Sequence, residues 1–359
     1  MKICFISEAK SIHTQRWTEG LAKTGCDLHL ISSSVADIPN VTLHHMPIYS
    51  PNPVRQTINK YRIKQLIRRL NPDITHIFGL FAVSSLGAMG LIKNLKNLLI
   101  SVWGSDVVPT GDDETIKEKV IKTYLLNKAD CLVATSAYLA LTVQHYMRRQ
   151  TEIEILPWGV DLDVFRPTNE LNDNDIVTIG FAKRLHPLSG PDILLKAFNY
   201  ACNNCNQKLR LKIAGDGPMR LELLETAVQM DLSDFIEWTG WLDSPASLSE
   251  FYRSLDLFVM PSRRESFGVS AVEASASGVV GVASNFGGIP EIIVDGVTGL
   301  LVEPDDVKGF GNAIVTLAKN EVLRKDMGSK GRKRAEIEFN WNNSLNRMLK
   351  IYNQVYANS

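Results

Sequence analysis

Net charge is missing from this chain. Its 359 residues carry 39 Lys and Arg against 39 Asp and Glu, so no global field draws it to nucleic acid, and nucleic acid is not among the expected partners. Cysteine is sparse and odd in number (Cys4, Cys26, Cys131, Cys202 and Cys205), which argues against a disulfide framework and for a reducing compartment. Cys202-Asn203-Asn204-Cys205 has zinc or redox spacing, but with no second pair and no nearby His it reads as a helix end. No run approaches the roughly 18 apolar residues of a membrane-spanning helix. The N-terminus MKICFISEAK enters a strand at once and acquires Glu8, unlike a signal peptide. The expected location is cytoplasmic. Repeats and low-complexity linkers are absent too.

One local absence is informative. From Ile38 to Pro72 there is no acidic residue, while Arg55, Lys60, Arg62, Lys64, Arg68 and Arg69 follow His44 and His45. Ile63, Leu66, Ile67 and Leu70 recur at helical spacing, predicting an amphipathic helix with a basic polar face. Such a helix either docks as an ordinary surface element or lies against anionic lipid head groups. The segment 55–70 is therefore a candidate peripheral membrane contact at the inner face.

At this length two domains are expected. Residues 1–165 carry 18 Lys and Arg against 15 Asp and Glu, and residues 166–359 carry 21 against 24. Short apolar runs predict strands at Lys2 to Ile6, Asp27 to Ser32, Asp73 to Phe78, Leu98 to Trp103 and Asp130 to Ser136. A helix from His13 to near Gly25 and another through about Arg149 lie between or after them. A second series opens at Asp175 to Phe181 and continues through Leu209 to Ala214, Ile236 to Thr239 and Leu255 to Met260. Its helices run over Pro191 to Cys202, Arg220 to Gln229, Phe310 to Asn320, Glu321 to Glu338 and Trp341 to Tyr356. This α/β alternation is the pattern of doubly wound parallel sheets, which bind ligands beyond the carboxyl ends of their strands.

The richest stretch is Val259 to Glu291, VMPSRRESFGVSAVEASASGVVGVASNFGGIPE. It reads as strand, loop and helix, with Glu265 in the loop and Glu273 eight positions later inside the helix. Between them the first helical N–H groups lack backbone partners, which makes an anion site. Gly268 permits close approach of a ligand to the backbone. Eight residues at helical rise span roughly 12 Å, a length suited to a nucleotide-sugar. The bland alternative stays open on spacing alone: two glutamates near a helix start can be a solvated face with a dipole contact of about 0.3–1 kcal/mol.

The residues of this stretch resemble the signature of retaining glycosyltransferases of family 4. The matching elements are Pro261-Ser262, Glu265-Ser266-Phe267-Gly268, Glu273-Ala274, Ala276, Gly278, Gly287-Gly288-Ile289-Pro290-Glu291 and Thr298-Gly299-Leu300-Leu301-Val302. The resemblance extends over nearly the whole chain. It implies a GT-B fold, two doubly wound Rossmann-like domains facing across a cleft. The acceptor-side domain would take 1–165, the nucleotide-sugar domain 166–340, and helix 341–356 would pack back on the first.

Within that frame Lys183 and Arg184 end a strand, where two cations suit a diphosphate leaving group. The family pattern of Arg-Leu, three residues and Lys-Gly is met by Arg184 and Gly190, while Ser189 replaces the Lys and Lys183 is expected to substitute for it. The resemblance makes Glu265, Arg184 and Lys183 the catalytic group. It assigns donor binding to Glu273, Ser266, Phe267, Gly268 and Val269 and to the phosphate-proximal turn Gly215-Asp216-Gly217. The base is expected against the Gly240-Trp241 turn.

On the acceptor side the residues implied are His13, His76, Trp103 and Asp106. Here Ile12-His13 stand where the family usually has Gly-Gly, and Trp103-Gly104-Ser105-Asp106 where it often has His-Gly. Asp161-Leu162-Asp163 falls in the interdomain linker, so its metal-like spacing is discounted; neither metal nor cofactor is expected.

The implied reaction is transfer of a hexose from a nucleotide-diphosphate-sugar to a hydroxyl of a saccharide or lipid-linked saccharide, with retention, as in polysaccharide biosynthesis. Two rivals share the fold: a nucleotide-sugar epimerase, and a catalytically silent homologue acting as a binding partner.

Overall fold

The computed structural model describes residues 1–48, 50, 52–80, 91–93, 95–104, 106–108, 114–168 and 175–358. The chain divides into two compact units: unit 1 is Met1–Pro157 with Ser344–Ser359, and unit 2 is Trp158–Asn343. Both are α/β with a wholly parallel sheet. Among the described residues no helix is long and apolar enough to cross a membrane.

Unit 1 holds strands β1 (Lys2–Ile6), β2 (Asp27–Ser32), β3 (Val41–His45), β4 (Ile74–Phe78), β5 (Leu98–Val102), β6 (Cys131–Ala134) and β7 (Glu154–Ile155). Their order is β3-β2-β1-β4-β5-β6-β7. The chain thus winds one way from β1 to β3 and the other way from β4, and the switch point lies between β1 and β4. Strands covered on both faces read as continuous apolar runs, and every residue of β4 and β5 is buried. Helix α1 (Ile12–Ala22) starts at Ser11, whose side chain accepts from the Thr14 amide. Helix α2 (Pro53–Leu70) is capped by Asn52 at its start and by Asn71, at φ 43°, at its end. It buries Ile63 and Ile67 in the unit 1 core. Helices α3 (Ile116–Leu126) and α4 (Ala137–Gln144) complete the unit's central run.

His76, on β4, is wholly buried. One ring nitrogen lies 2.7 Å from the Tyr352 hydroxyl and the other 2.7 Å from the Ser101 hydroxyl. This is a core histidine that fastens the C-terminal helix to the sheet, and the expectation of an acceptor contact from it is corrected. Burial holds its pKa well below the ordinary 6.5. A neutral ring in the fold and a protonated one in the unfolded chain make stability complete above pH 6.5 and progressively lost below it. Melting temperature is expected to fall as pH drops from about 7.5 to about 5. His76→Asn should flatten that slope from a lower starting point; an unchanged slope would overturn the assignment.

Unit 2 holds β8 (Ile176–Ala182), β9 (Lys208–Ala214), β10 (Ile236–Gly240), β11 (Leu257–Met260), β12 (Val280–Ser284) and β13 (Gly299–Val302), in the order β10-β9-β8-β11-β12-β13. The switch point here lies between β8 and β11. Helices α5 (Pro191–Asn204), α6 (Arg220–Gln229), α7 (Pro245–Arg253), α8 (Val269–Ala276), α9 (Val307–Lys319) and α10 (Glu321–Glu338) flank the sheet. Phe181, Phe198, Ile213, Val259 and Phe310 lie in one buried cluster. Helix α10 is laced by ion pairs at i, i+4, including Arg332–Glu336 and Arg334–Glu338. The same arginines donate to the carbonyls of Phe165, Ala276, Glu291 and Ile292, tying the helix to the segments around α8. Helix α11 (Trp341–Ala357) begins in unit 2 and belongs to unit 1 from Ser344.

Candidate active site

In unit 2 the loops after β8, β9 and β11 interlock first through their backbones. The Arg263 amide donates to the Leu188 carbonyl at 2.9 Å, and the Leu185 amide to the Asp216 carbonyl at 3.0 Å. Gly190 turns at φ +69°, and a Cβ there would meet the Pro261 carbonyl at 1.9 Å. At Gly215, φ +147°, a Cβ would meet the Lys183 carbonyl at 2.0 Å. Only glycine admits these approaches. Arg263 clamps the assembly from outside, with a two-pronged pair to Asp192 at 2.8 Å and a third bond to Asp305 at 2.7 Å. Burial pushes the Asp192 carboxyl up, but the Arg263 guanidinium more than offsets this and holds it below its ordinary value.

This scaffold brings Lys183 and Glu265 together. They lie 82 positions apart in the chain but follow the two strands that flank the switch point. The Lys183 ammonium pairs directly with the Glu265 carboxylate and donates to the Ser262 hydroxyl at 3.1 Å. Lys183 and Glu265 are both largely shielded, at 16% and 19% side-chain exposure, so the pair is worth more than a surface bridge. Arg184 projects into solvent, and its side chain makes no hydrogen bond or ion pair to any described residue. Ser189, at the position where a second cation was expected, is buried in a short 3-10 turn.

Helix α8 starts beside this pair. Its N-cap, Gly268, has φ +116° and gives no side-chain cap. The amides of Phe267, Gly268 and Val269 have no hydrogen-bond partner among the described residues. Ser270 donates to the carbonyl of Ala182, the last residue of β8. The Gly288 backbone presses on Ser266 and Phe267 from behind, where a Cβ would meet the Ser266 carbonyl at 2.5 Å. One helical turn further, Glu273 is half-buried and accepts from the hydroxyl of the wholly buried Tyr252 at 3.1 Å. A cationic group, uncapped amides at the positive end of a helix and two carboxylates on either side can hold a diphosphate at one end and polyhydroxylated rings beyond it. Among the described residues no three His, Cys, Asp or Glu side chains converge as a metal site. Asp161 instead accepts from the Asp163 amide within its own turn.

In unit 1, His13 and Trp103 come together at the carboxyl ends of β1 and β5, their rings 5.7 Å apart and near perpendicular. Burial, then the Arg16 charge, pushes the His13 pKa down to about 4, so its imidazole is neutral near pH 7. Asp106 is a different case. It is 3% exposed and accepts from the amides of Leu80, Trp103 and Gly104 at 2.8–3.1 Å. Burial raises its pKa, and these bonds oppose the rise. It staples the turn after β4 to the turn after β5, which corrects the expectation of an acceptor contact from it. Ser105 of the same motif lies outside the described residues.

Two residues were not anticipated. Arg263 resembles any loop arginine in sequence, and its role depends on the closeness of α5 and the 305 turn. Tyr252 lies in FYRSLDLFVM, where an aromatic before a strand reads as core; only the hydroxyl hinted at more.

A family model described as glycosyl transferases group 1 matches residues 163–334, and one described as glycosyl transferase 4-like matches residues 2–136. An uncharacterised glycosyltransferase of Methanocaldococcus jannaschii is 27% identical over 88% of this chain and 86% of its own length. A D-inositol 3-phosphate glycosyltransferase of Segniliparus rotundus is 31% identical over 67% of this chain, a match that spans only 55% of that protein. Among solved structures, Anabaena HepE in complex with UDP and glucose superposes with a TM-score of 0.82 at 16% identity, over 99% of this chain and 100% of that one.

Proposed function

Since this chain belongs to the group 1 glycosyltransferases, we propose that it moves a hexose from a nucleotide-diphosphate-sugar to a hydroxyl of a saccharide or lipid-linked saccharide. The anomeric configuration is retained, and no resident metal or cofactor takes part. The observation that carries this reading is the grouping of Lys183, Glu265 and the uncapped start of α8 at the unit 2 switch point. Arg184, Lys183 and the amides of Phe267, Gly268 and Val269 take up the charge that develops on the departing diphosphate, a task a divalent cation would otherwise perform. Glu265 orients the donor sugar, Glu273 holds the ribose diol, and the Gly215-Asp216-Gly217 turn approaches the phosphates. The bond from the anomeric carbon to the phosphate oxygen breaks as the acceptor oxygen bonds to that carbon on the same face. The acceptor proton passes to the departing phosphate. Placement of the reactants and leaving-group stabilisation supply the rate.

The test is incubation of the purified chain with UDP-, GDP- and ADP-hexoses and a panel of saccharide, lipid-linked and inositol phosphate acceptors. UDP and glucose accompany HepE, so UDP-glucose is the first donor to try. Mass spectrometry should show hexose added to one acceptor class, and proton NMR should show the donor's anomeric configuration in the product. An inverted product would overturn retention. Sugar interconversion without transfer would indicate the epimerase, and no consumption of any donor the silent homologue.

A lipid-linked acceptor, and a location at the cytoplasmic membrane face, are favoured by the outer face of α2. Val54, Ile58 and Tyr61, at i, i+4 and i+7, are 69%, 45% and 61% exposed. Arg55, Arg62, Arg68 and Arg69 are exposed alongside them. Apolar groups flanked by cations suit an anionic lipid surface. The chain is expected to float with phosphatidylglycerol vesicles and not with phosphatidylcholine vesicles. Arg62→Glu with Arg69→Glu should abolish flotation while leaving transfer to a water-soluble acceptor intact. Equal flotation with both lipids would remove the electrostatic argument.

A further inference from the structure

Tyr252 is the least expected polar group near the candidate site. It occupies the last turn of α7, whose register is set by a reciprocal cap between Ser244 and Ser247. Its ring is wholly buried and meets Phe165, Phe251 and Phe258 at centroid distances of 5.5–6.1 Å, all near perpendicular. Phenylalanine would fill that aromatic nest as well, so packing alone does not call for a hydroxyl. A buried hydroxyl is retained at a desolvation cost unless it has a partner; this one neighbours the Ser270 hydroxyl and donates to Oε2 of Glu273 at 3.1 Å. The partner lies on α8, in the helical turn after its uncapped N-terminus.

We propose that Tyr252 is a positioning residue for nucleotide recognition: its hydroxyl fixes the Glu273 carboxylate in the orientation that accepts the ribose hydroxyls. The inference rests on the reading of Glu273 as the ribose ligand and adds to it a buried group that restrains that carboxylate. A glutamate carboxylate turns about three side-chain bonds, whereas a phenol packed among three aromatic rings has almost no freedom. A bond from the rigid partner therefore removes part of the ordering that nucleotide binding would otherwise have to impose, which is how preorganisation raises affinity. Buried next to the Glu273 charge, the phenol stays protonated and remains a donor throughout the working pH range. Tyr252 touches no reacting atom, so its effect belongs to donor affinity and not to the chemical step.

The experiment titrates UDP, GDP and ADP into the full-length chain by calorimetry, then compares the tightest of them with its 2′,3′-dideoxy analogue. Tyr252→Phe is expected to weaken the ribonucleotide roughly tenfold, the loss of one charge-assisted hydrogen bond. Affinity for the dideoxy analogue should stay within about twofold, and kcat at saturating donor should be unchanged. Glu273→Ala should erase discrimination between the two nucleotides altogether. If Glu273→Ala still discriminates, the ribose assignment falls and the inference with it. If Glu273→Ala loses discrimination while Tyr252→Phe keeps it whole, the ribose assignment stands and only the role of Tyr252 is overturned. Equal weakening of both nucleotides by Tyr252→Phe would mean a merely structural role, and would also overturn it. Should Tyr252→Phe fail to fold, 3-fluorotyrosine at position 252 serves instead. Its fluorine resonance should shift with the ribonucleotide and not with the dideoxy analogue; identical responses would refute the proposal.

Discussion

Lys183→Ala is expected to lower kcat for transfer by about a hundred- to a thousandfold, the loss typical of a missing leaving-group stabiliser. The side chain follows β8 directly, and its ammonium is fixed between the Glu265 carboxylate and the Ser262 hydroxyl. With Ser189 at the place of a second lysine, Lys183 and Arg184 are the two cationic side chains proposed for the diphosphate. Removing one also leaves Glu265 beside the phosphate without its counter-charge, so repulsion adds to the lost attraction. Lys183→Arg should recover only part of the activity, because a planar fork does not replace a point charge seated between the Glu265 carboxylate and the Ser262 hydroxyl. Steady-state transfer assays at saturating acceptor, with melting temperature as the fold control, provide the measurement. A loss under about threefold would show that Arg184 and the α8 amides suffice, and would remove Lys183 from the catalytic group.

The largest effect on stability is expected at Gly190. Alanine there would have to hold φ +69° with its Cβ 1.9 Å from the Pro261 carbonyl oxygen, and that oxygen belongs to a loop already bonded to Leu188. Neither side can give way without parting the loops after β8 and β11. A cost of roughly 3–5 kcal/mol is expected, lowering the melting temperature of unit 2 by on the order of 10 °C. Gly240 supplies the control. It too has positive φ, +77°, but a Cβ there would meet nothing within 4 Å, so Gly240→Ala should cost only about 1–2 kcal/mol of backbone strain. Calorimetry of the two variants side by side separates crowding from conformational strain; equal melting temperatures would contradict the steric argument.

The pattern of apolar runs made most of both sheets legible. The strands at Lys2–Ile6, Asp27–Ser32 and Leu209 to Ala214 fall where expected, as do the helices Arg220–Gln229 and Glu321–Glu338. The edge strand β3 escaped: VTLHH is half-exposed and has no continuous apolar run to announce it, whereas β10, also at an edge, falls where Ile236 to Thr239 was expected. Helix α4 stops at Gln144 and not near Arg149, because the Asn127 side chain takes hold of the Tyr146 carbonyl and the Arg148 amide. The glutamates of the candidate site and the glycine at the start of α8 stood out by spacing and family resemblance. Pairing of Lys183 with Glu265 did not, since it follows from β8 and β11 being neighbours in a sheet whose strand order is invisible along the chain. His76 shows the converse limit. A histidine in a strand buried on both faces carries no mark in its neighbours that distinguishes a core residue from a ligand contact.

The Lys183–Glu265 contact has a bearing on donor choice in the proposed reaction. An ammonium that already carries its own counter-ion exchanges one anion for another when a diphosphate arrives, so the electrostatic gain is a difference between two pairings. Donor entry should therefore depend only weakly on ionic strength. Free phosphate, competing against a tethered carboxylate at high local concentration, should inhibit poorly. An incoming sugar that offers Glu265 a set of hydroxyl donors restores what the carboxylate gives up, and a donor deoxygenated at those positions cannot. Sugar selectivity would then be set at the moment of ion exchange, ahead of any bond breaking.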